Sequence, residues 1–107
     1  MTEEARRRLA YAIARMSGRQ SSSIYSYHTG SHVSMSGSPT SYYDYQSGSY
    51  FTNNYDYETG FHWSFTVSES AFTGYNYGSG DHFSGSIKGG AIAFFDYGTG
   101  AWYNYTA

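Results

Sequence analysis

The chain has no cysteine, one lysine and one leucine in 107 residues. Without cysteine it has neither disulfides nor thiolate metal sites, and the redox compartment is left open. A formal charge of −2 excludes a strong electrostatic pull toward nucleic acid or an anionic membrane surface. The local exception is the run Arg6, Arg7, Arg8, with Arg15 and Arg19 behind it. No apolar run approaches the length of a membrane span. Isoleucine and valine are scarce as well, so a core of branched aliphatic side chains is not available.

What replaces them is aromatic. Tyrosine alone supplies 14 residues, phenylalanine 7 and tryptophan 2, beside 13 glycines and many Ser and Thr. This mixture favours strands and tight turns over helix. The pattern aromatic-x-Tyr-x-(Ser/Thr)-Gly recurs as "YSYHTG", "YDYQSG", "YDYETG", "YNYGSG" and "FDYGTG", ending at Gly30, Gly48, Gly60, Gly80 and Gly100. Each copy reads as a β-hairpin turn of three residues with a left-handed glycine last. The segments between copies, "SGS" (36–38), "TNN" (52–54), "SES" (68–70) and "KGG" (88–90), read as three-residue turns too, with Asn54 and Gly90 suited to the left-handed position and Ser38 and Ser70 poorly suited.

The expected fold is mainly β: a single antiparallel meander of about ten short strands, preceded by one N-terminal α-helix. The strands are expected near 24–28, 31–35, 39–45, 49–51, 55–57, 61–67, 71–77, 81–87, 91–97 and 101–106. Uneven repeat spacing disfavours a solenoid, whereas a meander tolerates the removal of an even number of residues. Three-residue turns at both ends leave little stagger, which favours an open twisted sheet over a barrel; bulges at Gly74 and Gly85 are the candidate sources of shear. Residues 1–18 read as the helix, with Ala5, Leu9, Ala12, Ile13 and Met16 on its apolar stripe and the arginines opposite. Residues 19–23 read as a linker and 24–107 as the repeat domain. The apolar stretch of the helix is too short for a leader core, so secretion by the standard leader route is not expected, while other export routes stay open.

Three-residue turns place Tyr55 opposite Trp63 and Tyr57 opposite Phe61. Extended across the sheet, that register gathers Tyr43, Phe51, Tyr55, Tyr57, Phe61, Trp63, Tyr75, Tyr77, Phe83, Phe95, Tyr97 and Tyr103 on one face, too broad for one helix to cover. The opposite face would carry a polar ladder of Asp44, Asp56, His62, Asn76, His82 and Asp96, and an apolar corner of Phe72, Ile92, Phe94 and Trp102 as a ligand platform. On that face His62 and His82 stand two strands apart, too far to share a zinc ion, so no metal site is expected. Asp44 and Asp56 form a nominal carboxylate pair, and Ser84, His82 and Asp96 a nominal nucleophile set, but neither has a cleft. "NYT" at Asn104 has the form of a glycosylation sequon and is read as coincidence.

The hairpin repeat of about 20 residues is loosely similar to the choline- and glucan-binding repeats of cell-surface proteins, whose paired Trp-Tyr signature has a near match in one repeat, "GAWYNY" at 100–105. The expected function is non-enzymatic and structural: aromatic sheets pack face to face into a dimer, a higher oligomer or a filament, aided by free edge strands near 24–28 and 101–106. The alternative is a module that binds glycan or another small ligand through exposed aromatic side chains. Neither reading calls for a cofactor, a nucleic acid partner or a membrane span.

Overall fold

The computed structural model describes residues 1–38 and 41–107. A helix, α1 (Glu3–Met16), precedes ten strands: β1 (Ser23–Ser26), β2 (Ser31–Gly37), β3 (Tyr42–Asp44), β4 (Ser49–Phe51), β5 (Tyr55–Asp56), β6 (Phe61–Ser68), β7 (Ala71–Asn76), β8 (Asp81–Lys88), β9 (Ala91–Asp96) and β10 (Ala101–Thr106). Every sequential pair is antiparallel, as a meander requires. The sheet does not stay open, however. β10 pairs with β1, Ser26 opposite Tyr105, and the ring closes. The two edges expected to be free are therefore bonded to each other. The expected start of the third strand, at 39–40, lies outside the described residues.

Closure follows from turn lengths that the three-residue reading missed. Residues 77–80 and 97–100 are four-residue loops, while 69–70 and 89–90 are two-residue turns. A strand of eight residues therefore alternates with one of six. Each hairpin consequently starts further along its predecessor. Asn76 pairs with Trp63 rather than Phe61, and Asp96 with Phe83 rather than Asp81, a step of two residues each. Asp44 pairs with Met35 rather than Ser31, and Ser26 with Tyr105 rather than Ala101, a step of four. This accumulated stagger is the shear that a barrel demands, and even steps leave every side chain on its own face.

The same correction moves the register by one. Tyr55 lies opposite His62 and Asp56 opposite Phe61. Tyr55 therefore points outward while Trp63 points into the barrel. Gly74 and Gly85 are not bulges: they pair regularly, Gly74 with Phe65 and Phe83, Gly85 with Phe72 and Phe94. Their role is steric. A Cβ on Gly74 would stand 2.4 Å from the Phe83 ring, and one on Gly85 would stand 2.8 Å from that of Phe72. Bare backbone at these inward positions admits the rings of the neighbouring strands. Of the turn residues, Gly90 has positive φ as expected, Asn54 does not, and Glu69 takes the left-handed position instead.

The bore is filled by α1, with Thr2 capping its start by accepting from the Ala5 amide. Every residue from Ala5 to Ala14 is buried, so the helix has no solvent face. Arg6, Arg7 and Arg8, expected on an exposed side, are enclosed, whereas Met16 of the expected stripe is exposed. Alanines at 5, 10, 12 and 14 keep the helix narrow. Around it the strands supply Ile24, Val33, Met35, Tyr42, Phe51, Trp63, Phe72, Phe83, Ile87, Ile92, Phe94 and Tyr105.

Candidate functional site

The variable x of the repeat decides how the barrel is held. It is Ser26, Asp44, Asp56, Asn76 or Asp96, always at the end of a strand and always inward and buried. Asp44 accepts from the Gln46 and Ser47 amides, Asp56 from Glu58, Asn76 from Gly78 and Ser79, Asp96 from Gly98, and Ser26 from Thr29. In all five loops the closing glycine, with φ between +67° and +74°, donates its N–H to the carbonyl of x at 2.8 Å. These side chains thus cap the loops, as Asx turns do.

The second carboxylate oxygens of Asp44, Asp56 and Asp96 face α1. Arg6 reaches Asp96 at 3.0 Å, Arg7 reaches Asp44 at 2.9 Å, and Arg8 spans Asp44 at 3.3 Å, Asp56 at 2.9 Å and Glu58 at 3.0 Å. Consecutive helix residues point about 100° apart, so three arginines in a row fan out around the bore. The amino group of Met1 contacts Asp81 and Asp96, and Ser26 donates to Glu3. The Arg6 guanidinium also lies 3.7 Å over the Tyr103 ring. This interior is a spent set of charges: the Asp44–Asp56 pair is bridged by Arg8 instead of flanking a cleft.

Burial pushes the Asp44 carboxyl up, but the hydrogen bonds from Arg7 and the Ser47 amide and the charges of Arg7 and Arg8 outweigh it and hold it below the usual carboxylate range. A carboxyl with a lowered folded-state pKa stabilises fully above its unfolded value, near 4, and less as pH falls through the folded value. Thermal midpoints should therefore be level near neutrality and fall below about pH 4. Asp44→Asn should lower the plateau and flatten that acid limb; an unchanged acid limb in this variant would remove Asp44 from the account.

The outer wall carries the repeat's aromatics. Cross-strand pairs recur at one level: Tyr25 with His32, Tyr43 with Tyr50, Tyr55 with His62, Tyr75 with His82 and Phe95 with Trp102, with ring centroids 4.5 to 5.1 Å apart. Each first member also meets the tyrosine two residues on, Tyr27, Tyr45, Tyr57, Tyr77 or Tyr97, edge to face at 4.7 to 4.8 Å. Those five tyrosines are 57–63% exposed. The Tyr45 hydroxyl lies 3.0 Å from Ser36 Oγ, that of Tyr97 3.2 Å from Ser84 Oγ, and that of Tyr27 3.3 Å from Thr106 Oγ1. Thr52 and Ser64 occupy the same offset for Tyr57 and Tyr77. A ring supported at its edge and tethered at its hydroxyl has limited freedom, and one of its faces is open to stacking.

The expected sites are thereby redistributed. Of the aromatic face, Phe51, Phe61, Trp63, Phe83 and Tyr103 point inward, whereas Tyr43, Tyr55, Tyr57, Tyr75, Tyr77, Phe95 and Tyr97 point outward. Of the polar ladder, Asp44, Asp56, Asn76 and Asp96 are inside, while His62 and His82 meet Tyr55 and Tyr75 edge to face outside. Phe72, Ile92 and Phe94 of the platform are core, and only Trp102 is exposed. Ser84 and His82 stand on the far side of the wall from Asp96. Among the described residues, no group of three His, Asp or Glu side chains is arranged to hold a metal ion.

Tyr27, Tyr45 and Lys88, outside the expected sites, and Asn104, read from the sequence only as a coincidental sequon, border surface depressions. One, of about 470 Å³, lies over β8, β9, β10 and the Tyr27 loop. Another, of about 480 Å³, lies between Tyr43, Tyr45 and Tyr50. Comparison with protein-family models, curated proteins and solved structures gives no match for this chain.

Proposed function

We propose that the chain is a non-enzymatic binding module whose outer wall takes saccharides on repeated tyrosine platforms. The observation that supports this most is the fivefold recurrence of one surface arrangement, an exposed tyrosine with an aromatic side chain bracing its edge, joined at Tyr27, Tyr45 and Tyr97 by a Ser or Thr hydroxyl within hydrogen-bond distance. A sugar ring presents C–H groups to an aromatic face and hydroxyls to polar neighbours, which is what such a platform offers. The wall carries few charges, and stacking a neutral sugar needs none. Each platform is shallow, so single sites bind weakly and repetition supplies avidity.

Isothermal titration with neutral oligosaccharides, followed by tyrosine fluorescence, tests this. Millimolar binding at more than one site per chain is expected, with fewer sites in Tyr57→Ala/Tyr77→Ala. No heat and no spectral change with any member of a broad panel would refute the reading.

A second reading is self-association into a homo-oligomer through the same ring. It is favoured by the exposure of Tyr50 and Trp102 beside the five tyrosines, which extends the aromatic patches. Sedimentation at micromolar concentration separates the two: a monomer that binds sugar supports the first, and a dimer dispersed by Tyr57→Ala/Tyr77→Ala supports the second.

A further inference from the structure

Resting on the saccharide reading, we infer that the depression bounded by Tyr27, Ser86, Lys88, Ala93, Asn104 and Thr106 takes an acidic sugar residue, one that carries a carboxylate. Four observations on this depression converge. First, it combines a stacking wall with a cation: Tyr27 is exposed, its hydroxyl lies within 3.3 Å of Thr106, and Lys88 stands across from it. Second, Lys88 is the only lysine of the chain. The arginines at 6, 7 and 8 are consumed inside the barrel, and Arg15 donates to the Gly37 carbonyl and Arg19 to that of Ala107. Third, the floor is low. Outward Ala91 and Ala93 carry only methyl groups, Ala93 where the corresponding position of β7 carries Thr73, so a ring has room to settle between Tyr27 and Lys88. Fourth, Asn104 and Ser86 add an amide and a hydroxyl at the same level, suited to the ring hydroxyls.

An ammonium group held beside a stacking face distinguishes a carboxylate-bearing sugar from a neutral one. A charge-assisted hydrogen bond is about twice as strong as a neutral one, which converts to a preference of about fivefold. The preference should shrink with added salt, because Lys88 is exposed.

The test uses the full chain and two probes, a galacturonic acid trimer and its fully methyl-esterified form. The acid should bind about fivefold more tightly than the ester. Lys88→Gln should erase that difference and leave ester binding in place, Tyr27→Ala should weaken both probes at this site, and Thr66→Ala, exposed on β6 and outside every tyrosine platform, should leave the acid preference unchanged. Equal affinity of the two probes, or an acid preference that survives Lys88→Gln, overturns the inference while the general saccharide reading stands. Binding of the acid alone, lost in Lys88→Gln, upholds this inference against the reading of five neutral platforms. Failure of both probes to bind at millimolar concentration overturns this inference, and the neutral panel then decides the broader reading. Circular dichroism on each surface variant should match the parent, since none of the three side chains is part of the core.

Discussion

Replacing Arg8 with alanine is expected to cost about 3–5 kcal/mol, enough to unfold a large fraction of a domain whose total stability is about 5–15 kcal/mol. Arg8 is fully enclosed and bridges Asp44, Asp56 and Glu58. Its loss removes the one guanidinium within reach of Asp56, and a buried carboxylate without a partner is far more costly than the pair was favourable. The network is not perfectly satisfied even as it stands, since the Nε groups of Arg6 and Arg8 find no hydrogen-bond acceptor among the described residues. A combined Arg8→Met/Asp56→Asn variant should therefore recover a good part of the loss, because it removes charge from both sides at nearly constant volume. Urea denaturation of the parent, the single and the double variant measures this. A single variant within about 0.5 kcal/mol of the parent would mean that the arginine run does not sit in the bore.

The second large effect separates the two tryptophans. Trp63→Ala should cost about 3–5 kcal/mol, whereas Trp102→Ala should stay within about 0.5 kcal/mol. Trp63 is 1% exposed and its indole N–H donates to the Thr52 carbonyl at 3.0 Å; Trp102 is 59% exposed and braces Phe95 from outside. Truncating Trp63, the largest fully buried side chain, leaves a cavity and orphans that carbonyl. Acrylamide quenching gives an independent check: Trp102 should account for nearly all of the quenchable emission. A Trp63 accessible to quencher would restore the register in which it shares a face with Tyr55, and with it an open sheet.

That register marks the boundary of what the residues disclose by themselves. The repeat, the strand count, the meander order and the helix ahead of it are legible, because glycine spacing and the alternation of aromatic and polar residues leave little choice. Where each turn begins is not. "YDYETG" reads equally well as a three-residue turn after Tyr57 or a four-residue loop that includes it. The deciding feature is Asp56, which caps the loop with one oxygen and meets Arg8 with the other. A column of Ser, Asp, Asp, Asn and Asp at the same place in every copy is the available clue, and it is visible only when the copies are aligned on the loop. The arginines mislead for the same reason. Three consecutive cations look solvated until three of the five capping positions are seen to be acidic and inward. The surface platforms were half visible: the aromatic ladder was expected, but the one-residue shift hands its alternate strands to opposite sides of the wall.

The step of two residues per 20-residue unit has a consequence for how such a chain could have grown. Duplicating one more unit would add two strands and widen the ring, since barrel diameter rises with strand number. A single helix, about 10–12 Å across with its side chains, would then rattle in a lumen it no longer fills. Deleting a unit would pinch the lumen below that width. Lengthening by tandem copying, the usual path for modular sequences, is thus closed to this one unless the plug changes with it.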